Sequence, residues 1–130
     1  MSNQLYREEF MELFKSGANY GQLADPTISG AQVNSVCGDK MTLQLKLEHG
    51  RVIDAKFHGV SCAVSKTAAS IITESFKGKS IKELKKLTEK AVLDLINFDL
   101  LASRKQCALL CYYALQDALK KYDQTTKAGK

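Results

Sequence analysis

The chain has 130 residues, of which 45% are hydrophobic, and this length suits a single domain with one core. Its net charge is +5, but the basic residues are scattered, Trp is absent, and no Arg-rich stripe alternates with aromatic residues, so no nucleic acid partner is predicted. No apolar run is long enough to span a membrane and the N-terminus does not resemble a signal peptide, so we expect a cytoplasmic protein with no membrane partner.

The N-terminal third predicts a helix followed by a strand. Over Gln4–Lys15 the apolar residues fall on roughly one side of a helix. Gly and Asn residues end this helix, and a loop leads to a first strand over Thr27–Val33. The segment Asn34–Lys40 is predicted to be the turn that follows.

Two further strands form the clearest hairpin in the sequence. Apolar and polar residues alternate strictly over Met41–Leu47, and Glu48–Gly50 connects this strand to a return strand over Arg51–Phe57. The residues assigned to the apolar face of the return strand are Ile53, Ala55 and Phe57. This pattern predicts an antiparallel sheet with one wet face, whose other face is covered by the helices that follow.

The second half of the chain is predicted to be helical. A helix over Ala63–Phe76 is followed by two shorter ones, which are capped by Ser80 and Thr88. The last helix runs from about Ser103 to Tyr122, and a disordered tail is expected from about residue 124. The whole chain, residues 1–130, is predicted to form one domain.

Three cysteines lie at junctions between these elements. Cys62 falls on the turn between the third strand and the first long helix, where the amides of the first helical turn favour a thiolate. Cys37 lies two residues before Asp39, and the intervening Gly38 permits unusual backbone angles. Cys107 lies near the start of the last helix, where the same thiolate argument applies.

These four side chains are expected to converge on one site. The strand before Cys62 pairs with the strand after Asp39, which brings their turns together. Three thiolates and one carboxylate form a tetrahedral set suited to zinc, and thiolates also suit an iron–sulfur cluster. Taken alone, Cys62 is equally well explained by packing, and structural roles are favoured for Cys37 and Cys107. The prediction therefore rests on the combination of Cys37, Asp39, Cys62 and Cys107.

The fourth cysteine and the two histidines are assigned other roles. Cys111 lies one helical turn after Cys107 and is interpreted as a core residue, with a spare thiol that exchanges with the site as the alternative. His49 and His58 are interpreted as a hairpin residue and a strand-end residue rather than as metal ligands.

The chain resembles the U-type iron–sulfur assembly proteins, a group that comprises the NifU N-terminal domain, IscU and SufU. The resemblance covers about Leu5 to Tyr122 and rests on Cys37-Gly38-Asp39, the Gly59–Cys62 turn, the Phe76–Ser80 break and a third Cys in the last helix. It implies an α+β fold in which helices pack on one face of a three-stranded antiparallel sheet, with an N-terminal helix and a long C-terminal helix. It also implies a cysteine desulfurase as partner, recipient apo-proteins, and zinc or an iron–sulfur cluster as cofactor.

Features of two branches of this family are combined in the chain. Ser65 and Arg104 are similar to SufU, whereas the spacing from Cys62 to Cys107 is close to that of IscU. Gln106 stands where IscU-type members carry a His.

The sequence therefore predicts a scaffold or sulfur acceptor rather than a stand-alone enzyme. Cys37 is the expected first sulfur acceptor because its turn should be the most mobile, and Asp39 is the expected exchangeable ligand. The alternatives are a zinc-dependent sulfur relay that builds no cluster, a binding module with a structural zinc, and a cysteine enzyme, which would need a base beside one thiol.

Overall fold

Three strands and five helices make up the part of the chain that the computed structural model describes, residues 19–34, 38–60, 62–96 and 102–128. The strands are β1 (Ile28–Asn34), β2 (Asp39–Glu48) and β3 (Arg51–His58). The helices are α1 (Ala63–Phe76), α2 (Ile81–Lys85), α3 (Glu89–Ile96), α4 (Ala102–Ala108) and α5 (Leu110–Ala128). The predicted N-terminal helix and Cys37 lie outside these ranges.

The strands form one antiparallel sheet in the order β1-β2-β3, which confirms the predicted α+β fold. Strand β2 begins at Asp39, earlier than predicted, because the pairing with β1 continues to the pair Asn34 and Asp39. Asp39 is therefore the first residue of the central strand and does not belong to the turn.

A β-bulge in β3 changes which of its residues face the core. Lys46 pairs with Asp54 while Leu47 pairs with Val52, so Ile53 is an extra residue without a cross-strand partner in this register. The prediction that Ile53 faces the core is wrong, since its exposed fraction is 50% and Val52 is buried in its place. On the other side of the bulge, Ala55 and Phe57 are buried as predicted.

Helices α1 and α5 cover the apolar face of the sheet, where α5 packs on β1 and β2 and α1 packs on β3. The two helices also contact each other. The largest side chains in the core they enclose are Phe57, Phe76, Met41, Leu43, Leu45, Ile72, Leu84, Leu110 and Leu115. Gly30 of β1 lies so close to α5 that a Cβ atom there would be 2.3 Å from the Ala114 carbonyl oxygen and 2.4 Å from the Ala118 nitrogen.

The predicted C-terminal helix is interrupted. Leu109 separates α4 from α5, although the bonds from the Leu109 N–H to the Lys105 carbonyl and from the Tyr113 N–H to the Leu109 carbonyl remain. A side-chain donor, the Ser65 hydroxyl, lies 2.9 Å from the Cys107 carbonyl oxygen beside this point, which is a recognised cause of helix interruption. Helix α5 also continues to Ala128, past the predicted end at Tyr122, since residues 122–128 contain no Gly or Pro.

The caps of the short helices agree with the sequence. The Ser80 hydroxyl accepts a hydrogen bond from the Glu83 N–H at 3.1 Å, and the Thr88 hydroxyl accepts one from the Ala91 N–H at 3.2 Å. Among the described residues, no helix combines the length and apolar character that a membrane span requires.

Candidate metal centre

Asp39, Cys62 and Cys107 meet at one point of the fold. A carboxylate oxygen of Asp39 and the two Sγ atoms all lie within 4.8 Å of one another. Asp39 begins β2, Cys62 is the N-cap of α1, and Cys107 lies near the end of α4. Three separate elements therefore supply three potential metal-binding atoms to the same place.

The approach of β2 and β3 brings Asp39 close to Cys62. The Lys40 N–H donates to the Val60 carbonyl at 2.7 Å, so the chain leaving β3 runs beside the start of β2. Gly59 makes this possible, because a Cβ atom there would lie 2.2 Å from the Lys40 carbonyl oxygen. The next described residue after Val60 is Cys62, whose N–H donates to Oδ1 of Asp39 at 3.2 Å.

The other oxygen of Asp39 is bound by Ser65. The Ser65 hydroxyl donates to Oδ2 at 2.6 Å, which is a short bond of the kind expected for a carboxylate acceptor. Both carboxylate oxygens thus face donors in the first turn of α1, where the helix dipole also favours negative charge. This explains how a carboxylate that is only 4% exposed is accommodated in the fold.

Cys62 occupies the N-cap position of α1. Its Sγ accepts a hydrogen bond from the Ser65 N–H at 3.4 Å, as an N-cap side chain normally does for the residue three positions later. Cys62 is partly exposed, which distinguishes it from the more deeply buried cysteines of the described residues. It is the described thiol that is most accessible to a reactant.

Cys107 contributes from the opposite side and is only 2% exposed. The side-chain amide of Asn34 donates toward its Sγ at 3.9 Å, which links the end of β1 to the site. Cys107 is the sixth residue of α4, beyond the first turn in which a helix dipole acts. The prediction that Cys107 lies near the start of its helix is therefore wrong, and the argument from the helix dipole does not apply to it.

The three donors suit a metal ion by their chemistry. Two thiols and a carboxylate are ligands that zinc accepts, and in a tetrahedral site such atoms would stand about 3.5–3.8 Å apart, given bond lengths of about 2.0–2.3 Å. The observed limit of 4.8 Å exceeds this spacing by about 1 Å. The fourth predicted ligand, Cys37, lies outside the described residues, and the ligand role of all four remains a prediction.

Cys111 and the histidines do not join this group. Cys111 is 1% exposed and belongs to the apolar core, where burial raises the pKa of its thiol well above the ordinary value. His49 lies in the β2–β3 hairpin with a φ of +55°, and His58 ends β3, so each occupies the kind of position predicted for it.

One side of the site is lined by exposed residues. Val60 is 74% exposed, and Gly38 and Lys40 beside Asp39 are exposed as well. Tyr20 borders this surface, since its hydroxyl donates to the Gly59 carbonyl at 3.3 Å and its ring lies 4.7 Å from Nζ of Lys66. Among the described residues, the partly exposed Cys62 thus has exposed neighbours on the same side of the chain reversal.

The sequence did not reveal the roles of Ser65 and Asn34. Ser65 is 1% exposed and contacts Asp39, Cys62 and the Cys107 carbonyl oxygen, although the sequence singled it out only as a family-like residue. The sequence signal available for Ser65 is its spacing from Cys62, because the residue three positions after an N-cap faces the cap.

The model of the family described as "NifU-like N terminal domain" matches residues 5–129 of the chain. The "Iron-sulfur cluster assembly scaffold protein IscU" of Thermotoga maritima is 33% identical over 136 residues, which cover 90% of this chain and 94% of that protein. The "Zinc-dependent sulfurtransferase SufU" of Bacillus subtilis is 40% identical over 78 residues, which cover 60% of this chain and 52% of that protein.

Similarity to solved structures supports the α+β fold described above. The crystal structure of FiSufU from Fervidobacterium islandicum AW-1 superposes with a TM-score of 0.73. It is 24% identical to this chain, and the superposition covers 92% of this chain and 99% of that one.

Proposed function

The chain belongs to the NifU-like N-terminal domain family, and on that basis we propose that it accepts sulfur from a cysteine desulfurase during iron–sulfur cluster assembly. In this proposal Cys37, Asp39, Cys62 and Cys107 bind zinc or a nascent cluster. The observation that carries it is the meeting of one carboxylate and two thiols from three separate elements. The names of the relatives from T. maritima and B. subtilis, a scaffold and a zinc-dependent sulfurtransferase, support the same class of function.

The sulfur-transfer step requires a thiolate and no added oxidant. Zinc, when bound, would keep the site thiols deprotonated at neutral pH. A thiolate of the site, with Cys37 as first choice, attacks the outer sulfur of a persulfide on the desulfurase. A new sulfur–sulfur bond forms on this chain, the one on the desulfurase breaks, and the desulfurase cysteine leaves as a thiolate.

Asp39 is the ligand best suited to exchange during this step. A carboxylate is a harder ligand than a thiolate and is therefore the weaker one for a thiophilic metal. The Cys62 N–H and the Ser65 hydroxyl are also positioned to keep the carboxylate hydrogen-bonded when it is not bound to metal. Asp39 can thus leave the metal without becoming a buried, unsatisfied charge.

Transfer is tested by incubating the zinc-loaded chain anaerobically with a cysteine desulfurase and cysteine, and measuring the intact mass. Addition of one sulfur atom is expected in the wild type and should be lost when Cys37 is replaced by Ser. Cys111→Ser is the matched control, since that thiol lies in the core and should not affect transfer. If all four single Cys→Ser variants gain sulfur equally, the proposed acceptor site is wrong.

A purely structural zinc is distinguished by removing the metal. The hydrophobic core cluster contains none of Asp39, Cys62 and Cys107, so the fold should persist without a metal. We expect circular dichroism to retain its helical signal after chelation, while sulfur transfer stops. Cooperative unfolding on chelation would favour the structural role.

A sulfur relay that builds no cluster is the second candidate, favoured by the 40% identity to the zinc-dependent SufU. Anaerobic incubation with iron, cysteine and a desulfurase separates the two. Visible absorption from thiolate-to-iron charge transfer should appear only if the site holds a cluster that can then pass to recipient apo-proteins.

A further inference from the structure

We infer that Ser65 is a positioning residue that orients the Asp39 carboxylate toward a bound metal; this inference rests on the proposed metal-binding function. Ser65 is not one of the predicted ligands. Its hydroxyl holds Oδ2 of Asp39 at 2.6 Å, whereas Oδ1 has the longer bond of 3.2 Å from the Cys62 N–H. The bond from Ser65 is the shorter of these two, so Ser65 ties the carboxylate closely to the first turn of α1.

This bond lets Ser65 set the direction of the Asp39 carboxylate. With Oδ2 held by Ser65, the carboxylate is kept within reach of the Cys62 and Cys107 thiols, where the three side chains would bind an ion together. Hydrogen bonds of this kind to metal-binding carboxylates orient the ligand and commonly change metal affinity about 10- to 100-fold when removed.

The surroundings of Ser65 restrict its movement. It is 1% exposed, its N–H donates to Cys62 Sγ at 3.4 Å, and its hydroxyl oxygen lies 2.9 Å from the Cys107 carbonyl oxygen. A hydroxyl has one proton, which is shared between the Asp39 carboxylate and the Cys107 carbonyl, and the shorter contact to Asp39 is the stronger one. Ser65 thus contacts all three donor residues, Asp39, Cys62 and Cys107, which is why it can set their relative positions.

The test uses zinc and the intact chain. Zinc affinity is measured by competition with a chromophoric chelator for the wild type, Ser65→Ala and Ser70→Ala. Ser70 is the matched control because it is a buried serine of the same helix whose hydroxyl donates only to the Lys66 carbonyl, at 3.1 Å. We expect Ser65→Ala to lose about 10- to 100-fold in affinity and Ser70→Ala to match the wild type.

Two further variants separate positioning from a general loss of structure. Ser65→Thr keeps the hydroxyl and should restore most of the affinity. In a chain that already carries Asp39→Ala, adding Ser65→Ala should cause no further loss, because the residue through which Ser65 acts is gone. With cobalt in place of zinc, Ser65→Ala should shift the ligand-field bands while the thiolate charge-transfer bands persist.

The outcomes distinguish the inference from the function on which it rests. If the wild type binds zinc tightly and Cys62→Ser abolishes binding, but Ser65→Ala behaves like Ser70→Ala, then only the role of Ser65 is refuted. An equal loss from Ser65→Ala with and without Asp39 also refutes it. If the wild type and Cys62→Ser bind zinc equally poorly, the proposed metal site fails and the inference with it.

Discussion

A methyl group at residue 59 should separate the strands that hold Asp39 beside Cys62. A Cβ atom there would lie 2.2 Å from the Lys40 carbonyl oxygen and 3.2 Å from the Met41 Cα. Both are backbone atoms, so no side-chain rotation relieves the clash. Gly59 also has a φ of +133°, which residues with a side chain rarely adopt.

We expect Gly59→Ala to lower the free energy of unfolding by about 2–6 kcal/mol, from about 1–3 kcal/mol of backbone strain and about 1–3 kcal/mol of overpacking. Relief of the clash would also stretch the 2.7 Å bond from the Lys40 N–H to the Val60 carbonyl. Since Asp39 precedes Lys40, its carboxylate would move away from Cys62. Zinc affinity should therefore fall about tenfold or more, as for other losses of ligand positioning.

Urea denaturation and zinc titration measure the two effects. Gly50→Ala is the matched control, because Gly50 has a positive φ of +75° but nothing lies within 4 Å of a Cβ built there. This control carries the backbone cost without the clash and lies in the hairpin away from the site. If the two variants unfold at the same urea concentration and bind zinc equally, the close approach of β2 and β3 does not position the site.

Three other substitutions test separate features. Gly30→Ala should lower the free energy of unfolding by about 1–3 kcal/mol in urea, because its methyl group meets the α5 backbone at Ala114, and Ser29→Ala on the same strand should be close to neutral. Cys111→Val should reduce the loss of unfolding free energy at alkaline pH. Burial raises the pKa of the folded Cys111 thiol, so this thiol stays protonated at a pH where the thiol of the unfolded chain ionises. Its contribution to the free energy of unfolding is therefore complete below the ordinary thiol pKa and is lost as the pH rises above it. Asp39→Ala should slow sulfur or cluster release in stopped-flow transfer assays, and unchanged kinetics would contradict its role as the exchangeable ligand.

The sequence predicted the parts of the fold that depend on local pattern. Strict alternation in β2 identified the central strand, and the position of Cys62 before a run of small and apolar residues identified the start of α1. The pairing of β2 with β3 then followed from the short hairpin that connects them. These features are encoded by neighbouring residues, so one sequence is enough to find them.

Features that depend on contacts between distant residues were missed. The β-bulge that exposes Ile53 arises from the register between two strands, which the alternation within one strand does not reveal. The interruption at Leu109 accompanies a hydrogen bond from Ser65, which belongs to another helix. The position of Ser65 against Asp39 depends on how α1 meets β2, and its spacing from Cys62 gives only a weak indication of this.

The origin of the three donors in β2, α1 and α4 has a consequence for the lifetime of the chain. An ion held by all three would act as a cross-link between segments far apart in sequence, and it could form only after the sheet and helices have docked. Free metal at a thousand times its dissociation constant would add about 4 kcal/mol to the free energy of unfolding. The fraction of molecules open to proteolysis would then fall roughly a thousandfold, so metal supply would set how long the chain survives.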